Sequence, residues 1–299
     1  MSNVDFLDCL EEIGLDPDIP LSELPPLLAR VLEIVGPASA LPPLLITRLG
    51  RLATRFSEKQ LQKLPLEHLQ VMEALGREQD WNMEQLQSLA HGFLSSSRLS
   101  VQDLDAIHLV TLGYAVCGLQ NVDMEQLLAY EFCSAVLHLG SLALKCTEQQ
   151  LYTLTRLCTY NDIFGPVSEW TEDIFREMGS VAAGLDDLEL SALVKEQIQG
   201  LSPLAVSLIH PKKFAVVFST VQLSLFSWSQ AVRVTDQQWK LLDKEQQRAL
   251  SLVITGDANG TQDYRASNTG HCSLCCVLVY CPLLSAVYQL LTVTFLSSI

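Results

Sequence analysis

Thr147-Glu148-Gln149-Gln150-Leu151 decides how this chain is read. A hydroxyl residue is followed three places on by Gln and then by an apolar residue, which is the pattern of a capping box at a helix start. The first turn of a helix leaves N–H groups without intrahelical partners. The cap oxygen accepts from one of them, and the Gln side chain reaches back to the cap's own N–H. Each such cap is worth about 0.5–2 kcal/mol. In its general form, a polar cap with Gln, Glu or Asp three places on, the pattern returns at Ser57-Glu58-Lys59-Gln60-Leu61, Asn82-Met83-Glu84-Gln85-Leu86 and Ser100-Val101-Gln102-Asp103-Leu104. Asp123-Met124-Glu125-Gln126-Leu127 and Thr235-Asp236-Gln237-Gln238-Trp239 continue it.

With Thr171, Asp186, Ser202 and Ser219 added, a cap falls every 15 to 25 residues. That interval holds one short helix and a loop. A chain that restarts helices so regularly is predicted to be all-α, a helical solenoid over residues 1–254. Gly14, Gly36, Gly50, Gly118, Gly140, Gly179 and Gly200 stand where left-handed C-caps are wanted. The Pro-rich start predicts helices near 3–13, 22–35 and 42–55. Phe214–Phe218 is the one strand-like window, and it reads equally as buried helix. Trp81 and Trp170, before or at helix starts, are placed to staple a loop to the next helix.

The 299 residues carry a net charge of −15 with a pI near 4.7. Such a chain repels phosphate backbones, which excludes nucleic acid as a partner class. Its first residues, MSNVDFLDCLEEIG, have neither the basic start nor the apolar run of a secretory leader.

The other end is of another kind. Residues 255–270, TGDANGTQDYRASNTG, are polar and without apolar period, and predict a flexible linker. Asn259-Gly260-Thr261 is an N-glycosylation sequon. Residues 271–299 form a hydrophobic tail, and Ala266–Ile299 lacks Asp, Glu, Lys and Arg entirely. At about 1.5 Å per residue, helical Leu274–Ile299 is long enough for a bilayer core of about 30 Å. Three readings stay open. The tail is a GPI-attachment signal, with Gly260, Ser267 or Asn268 as candidate lipid-attachment residues; or it is a retained membrane anchor; or it is a variant terminal exon. A GPI signal needs an upstream leader, so that reading expects the chain to be a piece of a longer protein.

Of nine cysteines, Cys272, Cys275, Cys276 and Cys281 lie in or beside the tail. Cys272-x-x-Cys275 has metal-like spacing, but no second pair completes a zinc site. Cys9, Cys117, Cys133, Cys146 and Cys158 lie in helical contexts, either as small buried apolar residues or, in a secreted protein, with one disulfide among Cys117, Cys133, Cys146 and Cys158.

No phosphate loop, nucleophile elbow, HExxH or EF-hand loop is present in the sequence. Asp186, Asp187 and Glu189 read as acids favoured at a helix start, and Glu11-Glu12 as a solvated face. His68, His91, His108 and His138 have no ligand-spaced partners. Catalytic, metal and cofactor roles are therefore assigned to no residue, and an interaction surface is the expectation.

The wording of the chain adds a family. Leu104-Asp105 with His108-Leu109, Leu112-Gly113-Tyr114, Cys117-Gly118-Leu119, and Phe164-Gly165-Pro166 with Trp170 carry the resemblance. So do Ala182-Ala183-Gly184, Leu190-Ser191-Ala192-Leu193, Gln197-Ile198-Gln199-Gly200 and Asp5–Leu10. Most specific are Lys213–Ser219 and Glu245–Ala249. Over most of residues 1–253 the chain resembles the carboxyl-terminal region of the mesothelin–otoancorin–stereocilin family. The resemblance implies a right-handed superhelical, armadillo-like array of short helices. It implies a non-enzymatic adhesion or structural protein on the extracellular side of the plasma membrane, often GPI-linked. The implied partners are extracellular matrix and cell-surface proteins, stereocilia links among them, with no small-molecule substrate. The alternative from the residues is an intracellular helical scaffold held to a membrane by its tail.

Overall fold

The helix starts come from the caps. Ser2, Asn82, Thr147, Thr171, Asp186, Ser202, Ser219, Ser227, Thr235 and Asp243 each accept a first-turn N–H. A computed structural model describes residues 2–160 and 162–256, and among them helices and turns occur but no β-strand. The all-α expectation holds over that range. The expected linker from 257 onward and the expected tail, with Asn259, Gly260, Ser267, Asn268 and Cys272 to Cys281, lie outside the described residues.

Asp123 does not cap. It sits inside the helix Asn121–Met124, whose cap position is Gln120. Starting there buries Met124 and Leu127, and apolar burial of about 1.5–3 kcal/mol per side chain exceeds one cap. The expected helix over 3–13 is two, Asn3–Asp8 and Leu10–Leu15, broken at Cys9. The expected 42–55 helix is Pro43–Ile46 followed by a 3₁₀ turn, Gly50–Arg55. Phe214–Phe218 resolves as helix: Pro211–Val217 buries Phe214 and Val217 while Val216 is exposed, a helical rather than alternating period.

One apolar core runs the length of these residues. Phe6, Phe56, Phe93, Phe132, Phe175, Phe214 and Phe218 are all fully buried within a single cluster from Phe6 to Leu250. Trp81 and Trp170 are buried in it, their indole N–H groups donating to Leu75 O and Gly165 O.

Seven buried glutamines tie the helices together. Gln85, Gln150, Gln197, Gln222, Gln230, Gln238 and Gln246 each accept the cap N–H through Oε1. Each amide nitrogen then donates to two carbonyls, and that of Gln222 to three, at the end of a helix 27 to 33 residues earlier. One of these acceptors is always the C-cap carbonyl: Phe56, Leu119, Trp170, Leu193, Leu201, Ile209 and Phe218 in turn. One side chain thus satisfies an orphan donor at one helix start and orphan acceptors at another helix end. Arg51 does the acceptor half of this near the amino terminus, donating to Asp16 O and Ile19 O.

Glycines mark where backbones cross. A Cβ on Gly76 would lie 2.4 Å from Thr111 O, and one on Gly113, which has φ +51°, would lie 2.3 Å from Gly76 O. Gly14 with Gly50 and Gly140 with Gly179 make the same contact. After two of these crossings comes a buried 3₁₀ turn between glycines, Gly113–Gly118 and Gly179–Gly184. The crossings at Gly14, Gly76 and Gly140 fall at intervals of 62 and 64 residues.

Candidate functional site

Four cysteines of the middle segment are joined in two pairs, Cys117 with Cys146 and Cys133 with Cys158. The sequence alone leaves open either unpaired buried residues or one disulfide among these four; the structure pairs all four. Cys117 closes the Gly113–Gly118 turn onto the approach to the helix Glu148–Cys158, and Cys133 of Ala129–Gly140 joins that helix's end. The intervals of 29 and 25 residues interleave, and closing loops of that size stabilises a fold by about 3–4 kcal/mol each on the chain-entropy account. Cys9 is the free thiol among the described residues, partly buried, with its pKa raised by burial and then by Glu12, Asp8 and Asp5.

The last helix of this segment meets two later helices around a hollow of about 650 Å³ that is open to solvent. Glu148 and Tyr152 come from the helix Glu148–Cys158, Asp187 and Leu188 from Asp187–Ala192, and Lys213 from Pro211–Val217. Caps put the acids there: Glu148 and Asp187 each follow an N-cap residue, where the helix dipole favours negative charge. The Lys213 side chain is only 9% exposed, and its ammonium lies 3.6 Å from Glu148 Oε1 and 3.7 Å from Asp187 Oδ1. On the helix Glu148–Cys158, Arg156 meets both oxygens of Glu189 at 2.7 and 2.6 Å. Glu189 also accepts the Asp186 N–H. Glu189 therefore holds the position that glutamine holds elsewhere, and reaches back 33 residues to a cation instead of to carbonyls. Arg156 also lies over the Tyr152 ring, and its buried Nε has no partner.

Leu188 borders a second hollow of about 360 Å³, whose walls include Val167, Ala192, Leu193 and Val194. Leu188 is 80% exposed and Val194 56%. Asp186, Asp187 and Glu189 stand at a helix start, as their sequence predicts, while no local pattern singles out Lys213 or Leu188. The only signal for the cluster was the 33-residue step between Arg156 and Glu189, and that step has meaning only once the glutamine register is known.

The histidines do not converge. His91 Nδ1 lies 3.0 Å from Ser95 Oγ, and His108 Nδ1 lies 2.8 Å from Asp105 Oδ1. No group of three His, Cys, Asp or Glu fit to hold a metal occurs among the described residues. No described helix is long and apolar enough to cross a membrane.

Fold and surface together define a class: a chain of short helices joined by glutamine clamps, stapled by two disulfides and bearing open grooves. Comparison with known proteins gives the relatives. Over 247 residues, 83% of the chain, it is 42% identical to stereocilin of Homo sapiens. The figure for stereocilin of Mus musculus is 43% over the same share. Otoancorin of Homo sapiens is 30% identical over 223 residues, 74% of the chain. The matched part is 14% of human stereocilin and 19% of human otoancorin, so the chain spans less than a fifth of the length of these curated relatives. No protein-family model matches the chain. The chain belongs with the stereocilin-like proteins.

Proposed function

We propose that this chain is a non-enzymatic adhesion or structural protein of the cell surface, linking cells or stereocilia to neighbouring extracellular matrix. The likeness to stereocilin over 83% of the chain carries the reading. The paired cysteines support an oxidising compartment, since disulfides persist in secreted and surface proteins and are rare in the cytosol. The body is proposed to be a right-handed helical solenoid of the armadillo kind. What supports this is the near-constant reach of the glutamine clamps, about 30 residues from each helix start to an earlier helix end. Such an array offers an extended surface, and adhesion uses extended surfaces.

In this reading residues 255–270 are a linker carrying a glycan on Asn259, and 271–299 is a GPI-attachment signal acting at Gly260, Ser267 or Asn268. The test is expression of the full chain behind an added secretory leader. Phosphatidylinositol-specific phospholipase C is expected to release it from intact cells, and N-glycosidase to increase its mobility unless Asn259→Gln is present. A surface-exposed chain that the phospholipase leaves in place would overturn the lipid anchor. A chain retained inside the cell, unglycosylated and with reduced cysteines, would favour the tail-anchored scaffold.

A further inference from the structure

The two hollows that meet at Leu188 differ in chemistry. One is rimmed by Glu148 and Asp187 and floored by Lys213; the other is walled by Val167, Ala192, Leu193 and Val194. Between an acidic hollow and an apolar one stands Leu188, 80% exposed, and together they make a two-part recognition surface. We propose that it docks a basic segment of a partner protein, a cationic side chain entering the acidic hollow and a neighbouring aliphatic one entering the other.

Charge complementarity selects this occupant. The chain carries −15 overall, which disfavours a second copy, an acidic peptide and nucleic acid alike. A buried ammonium already occupies the acidic hollow. Lys213 stands 3.6 and 3.7 Å from the two carboxylates, at ion-pair range but beyond hydrogen-bond length. The carboxylates are 52% and 69% exposed at their side chains, so their outer faces remain open to an incoming cation. Lys213 shows that the hollow accepts an ammonium, and a partner's Lys or Arg would share the same two acids from outside. The apolar half supplies what surface charge does not: removing Leu188 and Val194 from water is insensitive to salt.

The inference rests on the proposed adhesion role and names the chemistry of its partner. Its test uses the purified full chain, so it succeeds or fails separately from lipid anchoring. The probe is a fluorescently labelled peptide, Lys-Leu-Arg-Leu-Lys, followed by anisotropy, with Glu-Leu-Glu-Leu-Glu as control. The basic peptide is expected to bind and the acidic one not to. Asp187→Asn and Leu188→Ser are each expected to weaken binding about 3- to 10-fold, the size of one exposed charge pair or one partly buried side chain. Both residues are exposed, so neither change threatens the fold. Lys213→Met removes the competing ammonium and is expected to tighten binding by about the same factor. Glu58→Gln with Glu84→Gln, in a separate acidic groove near His91, is expected to change nothing beyond about 2-fold. Absence of binding at millimolar peptide would overturn the proposal. So would equal losses at Asp187 and at the Glu58–Glu84 groove, because that outcome means diffuse charge attraction.

Discussion

At the scale of one residue, Gln238 shows what glutamine does that glutamate cannot. Its Oε1 accepts the Thr235 N–H at 2.8 Å, a role either residue fills. Its Nε2 donates to Val206 O and Ile209 O, both at 2.8 Å, and only an amide fills that. Gln238→Glu sets a carboxylate against two buried carbonyls and is expected to cost about 3–5 kcal/mol in thermal or denaturant unfolding. Gln60→Glu, at the solvent-exposed Ser57 box, is expected to cost less than about 1 kcal/mol by the same measurement. Glu78 makes a second prediction. Burial, then Asp80, push its carboxyl pKa up, against a weaker pull from Arg51. An acid with a raised folded-state pKa destabilises when ionised. That penalty is present above the folded pKa and vanishes as pH falls below the unfolded value near 4.3. Glu78→Gln is therefore expected to raise Tm at pH 7 and to leave it unchanged near pH 3. A variant whose Tm gain persisted at low pH would show that charge is not the cause.

At the scale of elements, the interleaved disulfides and the glycine crossings both work by geometry. Cys117→Ser with Cys146→Ser is expected to lower stability by about 3–4 kcal/mol. Peptide mapping by mass spectrometry without reduction should recover the Cys117–Cys146 and Cys133–Cys158 cross-links and no mixed pair. At Gly113 two demands coincide, a positive φ and a carbonyl 2.3 Å from any Cβ. Gly113→Ala is expected to cost at least about 3 kcal/mol, because the obstacle is the Gly76 backbone and cannot rotate aside. Gly256→Ala meets nothing within 4 Å and has only its φ of +75° to strain it, so about 1 kcal/mol is expected. Parallel melts of the two variants separate crowding from dihedral strain.

At the scale of the whole molecule, clamps that reach about 30 residues and no further make stability a matter of neighbours. Gln246 bonds Ala215 O and Phe218 O, near the end of the described residues. Gln246→Glu is expected to raise amide exchange over roughly 211–255 while residues 3–75 stay protected. Uniform loss of protection in hydrogen-exchange mass spectrometry would mean one cooperative unit instead of linked neighbours.

Helix content and most helix starts were legible in the residues themselves, because a cap acts within four positions: Thr147 and Gln150, or Thr235 and Gln238, carry the whole signal. Asp123 misled because its local cap competed with burial of Met124 and Leu127, and burial depends on distant neighbours. The sequence by itself determined that this is a chain of short helices related to stereocilin, and that its acids cluster at helix starts. Only the tertiary structure decided which carbonyls the glutamine amides reach, that Gly76 lies against Gly113, which cysteines pair, and that Lys213 sits between Glu148 and Asp187. Those partners lie 25 to 65 residues apart. No local pattern specifies such a distance; packing of the core sets it, and the side chains then bond to whatever the packing brings within reach.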